Sequence, residues 1–225
     1  MSIDVSSIEA RARVHAALGD VARLALVDRL SLSDTSPGEV GRLLDLPTNL
    51  VAHHVGVLEA AGVLTRARSE GDRRRTYLKL VPGAVAGLVH PALAPAPRVV
   101  FVCTHNSARS QLAAALLASR ARVPSASAGT RPAPRVHPRA VRIGRRHGLA
   151  LAGVRPTRVA DVVRDDDLVV SVCDRAHEGL TTTAARLHWS VPDPARVDTD
   201  EAFERAYADI ADRIERLLPA LTRRP

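Results

Sequence analysis

The segment Val102-Cys-Thr-His-Asn-Ser-Ala-Arg-Ser110 holds one of the chain's two cysteines, with an arginine six positions after it. A thiolate can attack an electrophilic centre, and a guanidinium can grip two oxygens of a tetrahedral anion with its planar fork. The β-branched run "RVVFVC" leading in reads as a strand, and "SQLAAALLASRA" leading out reads as a helix. A loop between a strand and a helix N-terminus gathers unpaired N–H groups and the positive end of the helix dipole, which suits an oxyanion. The same field should favour the thiolate of Cys103. Thr104, His105, Asn106, Ser107, Ala108, Arg109 and Ser110 therefore form the expected anion-binding loop, with Asn106 tolerating a positive φ and Ser110 donating to the thiolate. The alternative is a buried strand cysteine beside a surface arginine, and the spacing between strand and helix argues against it.

Two other groups could join this chemistry. Asp193, in "HWSVPDP", follows a strand-like run and precedes a proline, so a rigid turn could aim its carboxyl at the loop as a general acid. Cys173 closes the apolar run "DDLVVSVC", either as a second reactive thiol or as a packed strand-end cysteine. The elements that must position these groups alternate: "PSASAG" strand, "HPRAVRIGRRHGL" helix, "DDLVVSVC" strand, "RLHWSV" strand, and a long amphipathic helix "DEAFERAYADIADRIERLLPAL". An α/β three-layer domain with a small parallel sheet is expected over residues 98–225, its active loops at the carboxyl ends of the strands.

Residues 1–91 read differently. Helical spacing covers residues 7–18 and 20–32, with Asp20 as N-cap. "SPGEVGRLLDL" opens with the pattern of a capping box, Ser36 and Glu39. Thr48 is the expected cap of "NLVAHHVGVLEAA", in which Val51, Val55 and Leu58 form an inward stripe. "VLTRARS", "EGD" and "RRRTYLKLV" read as strand, turn and strand, with Arg73, Arg74 and Arg75 at the tip. Helix, helix and hairpin in that order make a winged helix-turn-helix, mainly α with a β-hairpin wing, in which Thr48, Asn49 and His53 face base edges or phosphates and Arg73 and Arg74 grip the DNA backbone; taken singly, His53 and His54 also read as ordinary surface and half-buried histidines and the arginine run as a solvated turn. A short helix around Ala84–Val89 and a Pro/Ala linker at 92–97 complete the join.

Composition narrows the options. At 225 residues the chain can hold two cores, and only 2% of its residues are aromatic, which disfavours bases stacked on aromatic platforms. The net charge of +8 is concentrated in the second half: residues 98–225 hold twenty-one Lys/Arg against fourteen Asp/Glu. With two cysteines a structural disulfide framework is not expected, and without a long apolar run or signal-like N-terminus a cytoplasmic protein with no membrane partner is.

Over about residues 8–90, "ALGDVARLALVDRL" and "LLDLPTNLVAHHVGVLEAAGVLTRARSEGDRRRTYLKL" resemble the ArsR/SmtB winged-helix repressors. The resemblance implies a homodimer through the N-terminal domain that binds double-stranded operator DNA and releases it when a metal or metalloid binds. This half has no cysteine, so the thiol cluster of arsenite-sensing members is missing; His15, His53, His54 and His90 lack metal-ligand spacing, and no metal site is expected.

Over about residues 98–221, "FVCTHNSARSQLAAALL", "SASAGTRPAPRVHPRAVRIGRRHGLAL", "DLVVSVCD" and "HWSVPDPA" are similar to the low-molecular-weight protein-tyrosine-phosphatase fold, most of all to its thiol-dependent arsenate reductases. Gln111 favours the reductases, since the phosphatases usually have Pro there, and the tyrosines of a phosphotyrosine pocket are absent beside Asp193. The resemblance implies that Cys103 attacks arsenate, Asp193 protonates the departing oxygen, and a second thiol at the place of Cys173 releases arsenite. Ala108 stands where reductases often carry Cys, and Leu180 where thioredoxin-coupled members carry a third one. No bound cofactor is implied; an external thiol system, thioredoxin, glutathione or mycothiol, would close the cycle, either by reducing a Cys103–Cys173 disulfide or, for a small thiol such as glutathione or mycothiol, by performing the second step itself. The joint expectation is an arsenic-responsive transcriptional regulator fused to an arsenate reductase. The alternatives are a protein-tyrosine phosphatase acting on phosphate-like oxyanions or a non-catalytic oxyanion- or redox-sensing repressor.

Overall fold

The computed structural model describes residues 5–85, 93 and 96–222. The chain divides into two compact units: Met1–Arg68 with Arg73–Ala92, and Ser69–Asp72 with Leu93–Pro225.

Among its described residues the first unit contains four helices, α1 (Val5–Leu18), α2 (Val21–Leu32), α3 (Pro37–Leu44) and α4 (Thr48–Ala60), followed by β1 (Leu64–Arg68), β2 (Thr76–Leu80) and a 3-10 turn at Pro82–Ala84. Asp20 caps α2 by accepting from the Arg23 N–H at 2.9 Å. Ser36 and Glu39 close a capping box, the Glu39 carboxylate accepting from the Ser36 N–H at 2.7 Å. Val51, Val55 and Leu58 turn inward and join Val27, Leu30, Leu64 and Leu78 in one aliphatic core. The β1–β2 pair is antiparallel, and Thr35 adds a bridge to Leu78.

Two expectations are corrected. Thr48 does not cap α4; Pro47 holds that position with its φ of −66° and ψ of 152°, and its carbonyl accepts from the Val51 N–H at 3.1 Å. A proline there is already set for the turn into the helix and leaves Thr48 as the first helical residue. Strand β2 starts at Thr76 rather than Arg73, because Arg68 pairs with Thr76 and closes the ladder, which leaves Arg73, Arg74 and Arg75 in the connecting turn. Most of the expected helix at Ala84–Val89, most of the linker at 92–97, and His90 lie outside the described residues.

The second unit is built on four strands, β3 (Val99–Cys103), β4 (Ser125–Gly129), β5 (Leu168–Ser171) and β6 (Ala185–His188), in the order β4-β3-β5-β6, all parallel. Every residue of β3 and β5 is buried, as their near-continuous β-branched and apolar sequence requires of inner parallel strands. The helices are α5 (Arg109–Arg120), α6 (Pro138–Arg146), α7 (Val159–Val162), α8 (Asp174–Gly179), α9 (Pro194–Val197) and α10 (Asp200–Thr222). α5 packs on β3, β4 and α10, and α8 on β3 and β5. Phe101, Leu112, Leu117, Ile143, Leu187, Trp189 and Phe203 fill the core, with the Phe101 and Trp189 rings 5.6 Å apart.

At the amino ends of the strands, Arg98 forks onto Asp167 at 2.9 and 2.7 Å and tethers the start of β3 to that of β5. Burial works to raise the Asp167 carboxyl, but the Arg98 fork and the Arg164 N–H outweigh it and hold it below the usual aspartate range. Strand β5 stops at Ser171, two residues short of the expected end, and β6 stops at His188; Cys173 is instead the N-cap of α8. The short α7, α8 and α9 went unforeseen because four to six residues carry too few apolar repeats for a periodicity to register. No helix among the described residues is long and apolar enough to cross a membrane.

Candidate functional site

Cys103 is the last residue of β3 and is 3% exposed. The loop after it is pinned from outside: the carbonyls of Thr104, His105 and Ser107 accept from the N–H groups of Arg131, Ala133 and His137 at 2.8, 2.9 and 2.8 Å. In a planar trans peptide the N–H points opposite to the carbonyl of the same unit. The N–H groups of His105, Asn106 and Ala108 therefore face away from residues 131–137. One of them shows where they aim, since the Asn106 N–H donates to Cys103 Sγ at 3.1 Å. α5 begins directly at Arg109, so its N-terminal dipole faces the same point. Donors converge on the thiol, as a thiolate or a bound oxyanion requires.

Asn106 holds this shape at a φ of +49°. Its Oδ1 accepts from the Thr157 N–H at 2.8 Å, which fixes the amide orientation and turns Nδ2 toward Ser110 Oγ at 2.9 Å. That hydroxyl, 3.1 Å from Cys103 Sγ, accepts from Asn106 and has its own proton for the sulfur. Gln111 Nε2 reaches both Asn106 O and Oδ1 at 3.1 Å. From below, Gly129 ends β4 against the loop; a Cβ there would lie 3.0 Å from Asn106 N, Asn106 Cβ and Thr104 O.

Groups from the ends of β5 and β6 and from residues 69–72 meet Arg109 beside this loop. Arg109 is 6% exposed; its Nη1 donates to the Val191 carbonyl at 2.8 Å and its Nη2 lies 3.1 Å from Asp193 Oδ2. Burial alone would lower the guanidinium, but Cys173, Asp193, Cys103 and Glu70 surround it and push it up instead, so it stays charged. Asp193 caps α9 by accepting from the Ala195 N–H at 3.2 Å, and Glu70 accepts from the Asp193 N–H at 3.0 Å. Cys173 Sγ is 3.6 Å from Thr104 Oγ1. Burial pushes the Cys173 thiol up, against the pull of Arg109. Behind it, Asp174 and His188 form a buried pair at 3.0 Å. Arg109, Cys173, Asp193 and Glu70 line one cavity of about 230 Å³, together with Thr104 and His105, the two residues that follow the buried Cys103.

The structure thus brings Cys103, Thr104–Ser110, Cys173 and Asp193 to one place. In the first unit, Thr48, Asn49 and His53 are exposed on α4, and Arg73 and Arg74 are exposed in the hairpin turn. His54 is buried, 3.7 Å from Asp20. A cavity of about 610 Å³ between α1, α4 and the 3-10 turn is lined, among the described residues, by Arg11, Arg13 and His15 and by small or apolar side chains. Three contributors leave little trace in the sequence. Gly129 closes "SASAG", where a terminal small residue is the only trace of its close approach; Thr157 acts through its backbone N–H; Glu70 is an ordinary turn acid until its neighbours are known.

The family model of the low molecular weight phosphotyrosine protein phosphatase matches residues 98–224. An arsenate reductase of Brevibacillus brevis is 32% identical over 126 residues, which cover 52% of this chain and 91% of that protein. An arsenate reductase solved in an oxidized state superposes with a TM-score of 0.51 at 25% identity, covering 56% of this chain and 99% of that one. A tyrosine phosphatase of Erwinia amylovora superposes with a TM-score of 0.52 at 22% identity, covering 58% and 96%, a likeness of fold.

Proposed function

Because the chain belongs to the low molecular weight phosphotyrosine protein phosphatase family, we propose that its second unit is a thiol-dependent arsenate reductase. Arsenate enters the cavity and is held by Arg109 and the inward N–H groups of the loop. Cys103 Sγ attacks arsenic, an As–O bond breaks, and Asp193 gives a proton to the oxygen, which leaves as water. Cys173 then attacks Cys103 Sγ. The S–S bond forms as the S–As bond breaks, the electron pair stays on arsenic, and arsenite departs. Two thiols lose two electrons and As(V) gains them, and an external thiol system reduces the disulfide.

The observation that carries this reading is the position of Cys173 on the cavity that Arg109 and Asp193 also line; phosphoester hydrolysis has no use for a second thiol there. The test is arsenate reduction by the wild type, Cys103→Ser and Cys173→Ser with thioredoxin, glutathione and mycothiol systems. Both variants are expected to lose reductase turnover, while Cys173→Ser keeps hydrolysis of an aryl phosphate. If no thiol system supports turnover by the wild type, the reading fails, and aryl phosphatase activity indifferent to Cys173 would establish the phosphatase alternative.

For the first unit we propose an ArsR-like winged-helix DNA-binding domain over residues 1–91, joined by the linker 92–97 to the reductase domain at 98–225. Support comes from α3, closed by its capping box, and α4 in tight succession, the exposed Asn49 and His53 on α4, and the arginines in the β1–β2 turn. Such a protein would act in the cytoplasm as a homodimer on operator DNA, beside an activity that makes the metalloid its relatives sense. Gel-shift titration checks this: affinity should fall steeply with salt, and Arg73→Ala should flatten the slope by about one. Binding without salt dependence would refute it.

A further inference from the structure

The second unit supplies an anion of its own to the cavity. Residues 69–72 are held firmly: the Glu70 N–H donates to Asp174 Oδ2 at 2.6 Å, Ser69 Oγ to Glu178 Oε1 at 2.5 Å, and the Asp72 N–H to Glu178 Oε2 at 2.8 Å. Contact is close enough that a Cβ on Gly71 would stand 3.1 Å from the Arg175 Cα. This clamp leaves the Glu70 side chain one-third exposed and directs its carboxylate inward. Oε2 accepts from the Asp193 N–H at 3.0 Å and lies 3.9 Å from Arg109 Nη1; Oε1 lies 3.9 Å from Arg196 Nη1. A backbone N–H and two guanidinium groups are the donors a tetrahedral oxyanion would itself recruit. Arg109 already faces the Asp193 carboxylate at 3.1 Å, so an arriving oxyanion makes a third negative group around one cation.

We propose that Glu70 is a tethered competitor for the oxyanion, whose carboxylate must leave Arg109 before substrate binds. The proposal rests on the reading of the Cys103 loop as an anion site. Glu70 touches no reacting atom in it, so it sets affinity rather than the rate of the chemical step. An occupied site lowers apparent affinity by the fraction of molecules in which it is open. With about one site in ten open, removing the charge tightens binding about tenfold.

The test is calorimetric titration of the reduced full chain with inorganic phosphate, comparing the wild type, Glu70→Gln, Glu70→Ala and Arg109→Ala. Glu70→Gln should bind phosphate about tenfold more tightly, and in arsenate turnover its KM should fall with kcat unchanged. Equal or weaker phosphate binding by Glu70→Gln, while Arg109→Ala loses it, overturns the Glu70 proposal and leaves the anion site standing. Absence of phosphate binding in both the wild type and Glu70→Gln overturns the two readings together. A fall in kcat with affinity unchanged would make Glu70 a prop for the Asp193 turn instead, and this also refutes competition. Glu70→Gln keeps the shape of the side chain; a melting curve matching the wild type shows that the clamp survives if Glu70→Ala does not fold.

Discussion

Gly129→Ala gives the sharpest test of how the anion loop is held. Gly129 is not among the residues with positive φ, so alanine meets no backbone strain and the effect is one of contact alone. The added methyl would stand 3.0 Å from Asn106 N, Asn106 Cβ and Thr104 O. Two of these three atoms are backbone, in a loop fixed on its far side by Arg131, Ala133 and His137, so neither wall gives way cheaply. Overpacking of this kind costs about 1–3 kcal/mol. At roughly 4 °C per kcal/mol for a domain of this size, the second unit's melting point should fall by roughly 4–12 °C. The loss of activity should be larger, because a shift of about 1 Å in a reacting group costs on the order of 100-fold. Differential scanning calorimetry and arsenate reduction kinetics measure the two quantities on one preparation. Adding Asn106→Gly removes just one of the three contacts and should not rescue turnover. Wild-type kcat/KM in Gly129→Ala would refute the claim that Gly129 shapes the loop.

Four further changes probe other parts of the molecule. Asp200, bonded by Arg142 and Arg139, has its carboxyl lowered from 3.8 to about 2. Its contribution is complete above the unfolded value and is lost as pH falls through the folded one, so the melting-point gap between wild type and Asp200→Asn should be open at pH 7, shrink below about pH 4 and close only below about pH 2. Arg98→Leu leaves Asp167 buried without its fork and should cost about 3–5 kcal/mol in denaturant unfolding. Ser36→Ala removes half of the α3 capping box and should destabilise the first unit by about 1 kcal/mol, read from its own melting transition. Gly56→Ala, on the exposed side of α4 with nothing within 4 Å of the new methyl, should stabilise that unit by up to about 1 kcal/mol.

The sequence revealed the site where chemistry depends on adjacent residues. Cys103, Arg109 and Ser110 lie on one strand-loop-helix passage, so spacing alone placed the thiol, the fork and the hydroxyl, and asparagine's tolerance of positive φ anticipated Asn106. Asp193 was legible because a proline follows it at a strand end. Contributions made through the backbone or across the fold were not legible. Thr157 acts through an N–H that any residue but proline would supply, and Glu70 matters only because Asp174, Asp193 and Arg109 meet it from distant parts of the chain. The error at Thr48 has the same character: a good capping side chain lost its place to the rigid φ of Pro47, a competition that preference alone could not decide.

The grip on Arg109 has a consequence for the order in which the protein becomes active. Its guanidinium is tied to the Val191 carbonyl, 82 residues further along, and to Asp193 just beyond. A ribosome releases Cys103 and its loop long before it releases those partners. During that interval the nascent chain carries a reactive sulfur without its completed cation or acid, and it cannot turn over an oxyanion. First turnover therefore waits for the segment that follows β6, and the onset of activity during synthesis would date the arrival of Val191 and Asp193 at the loop.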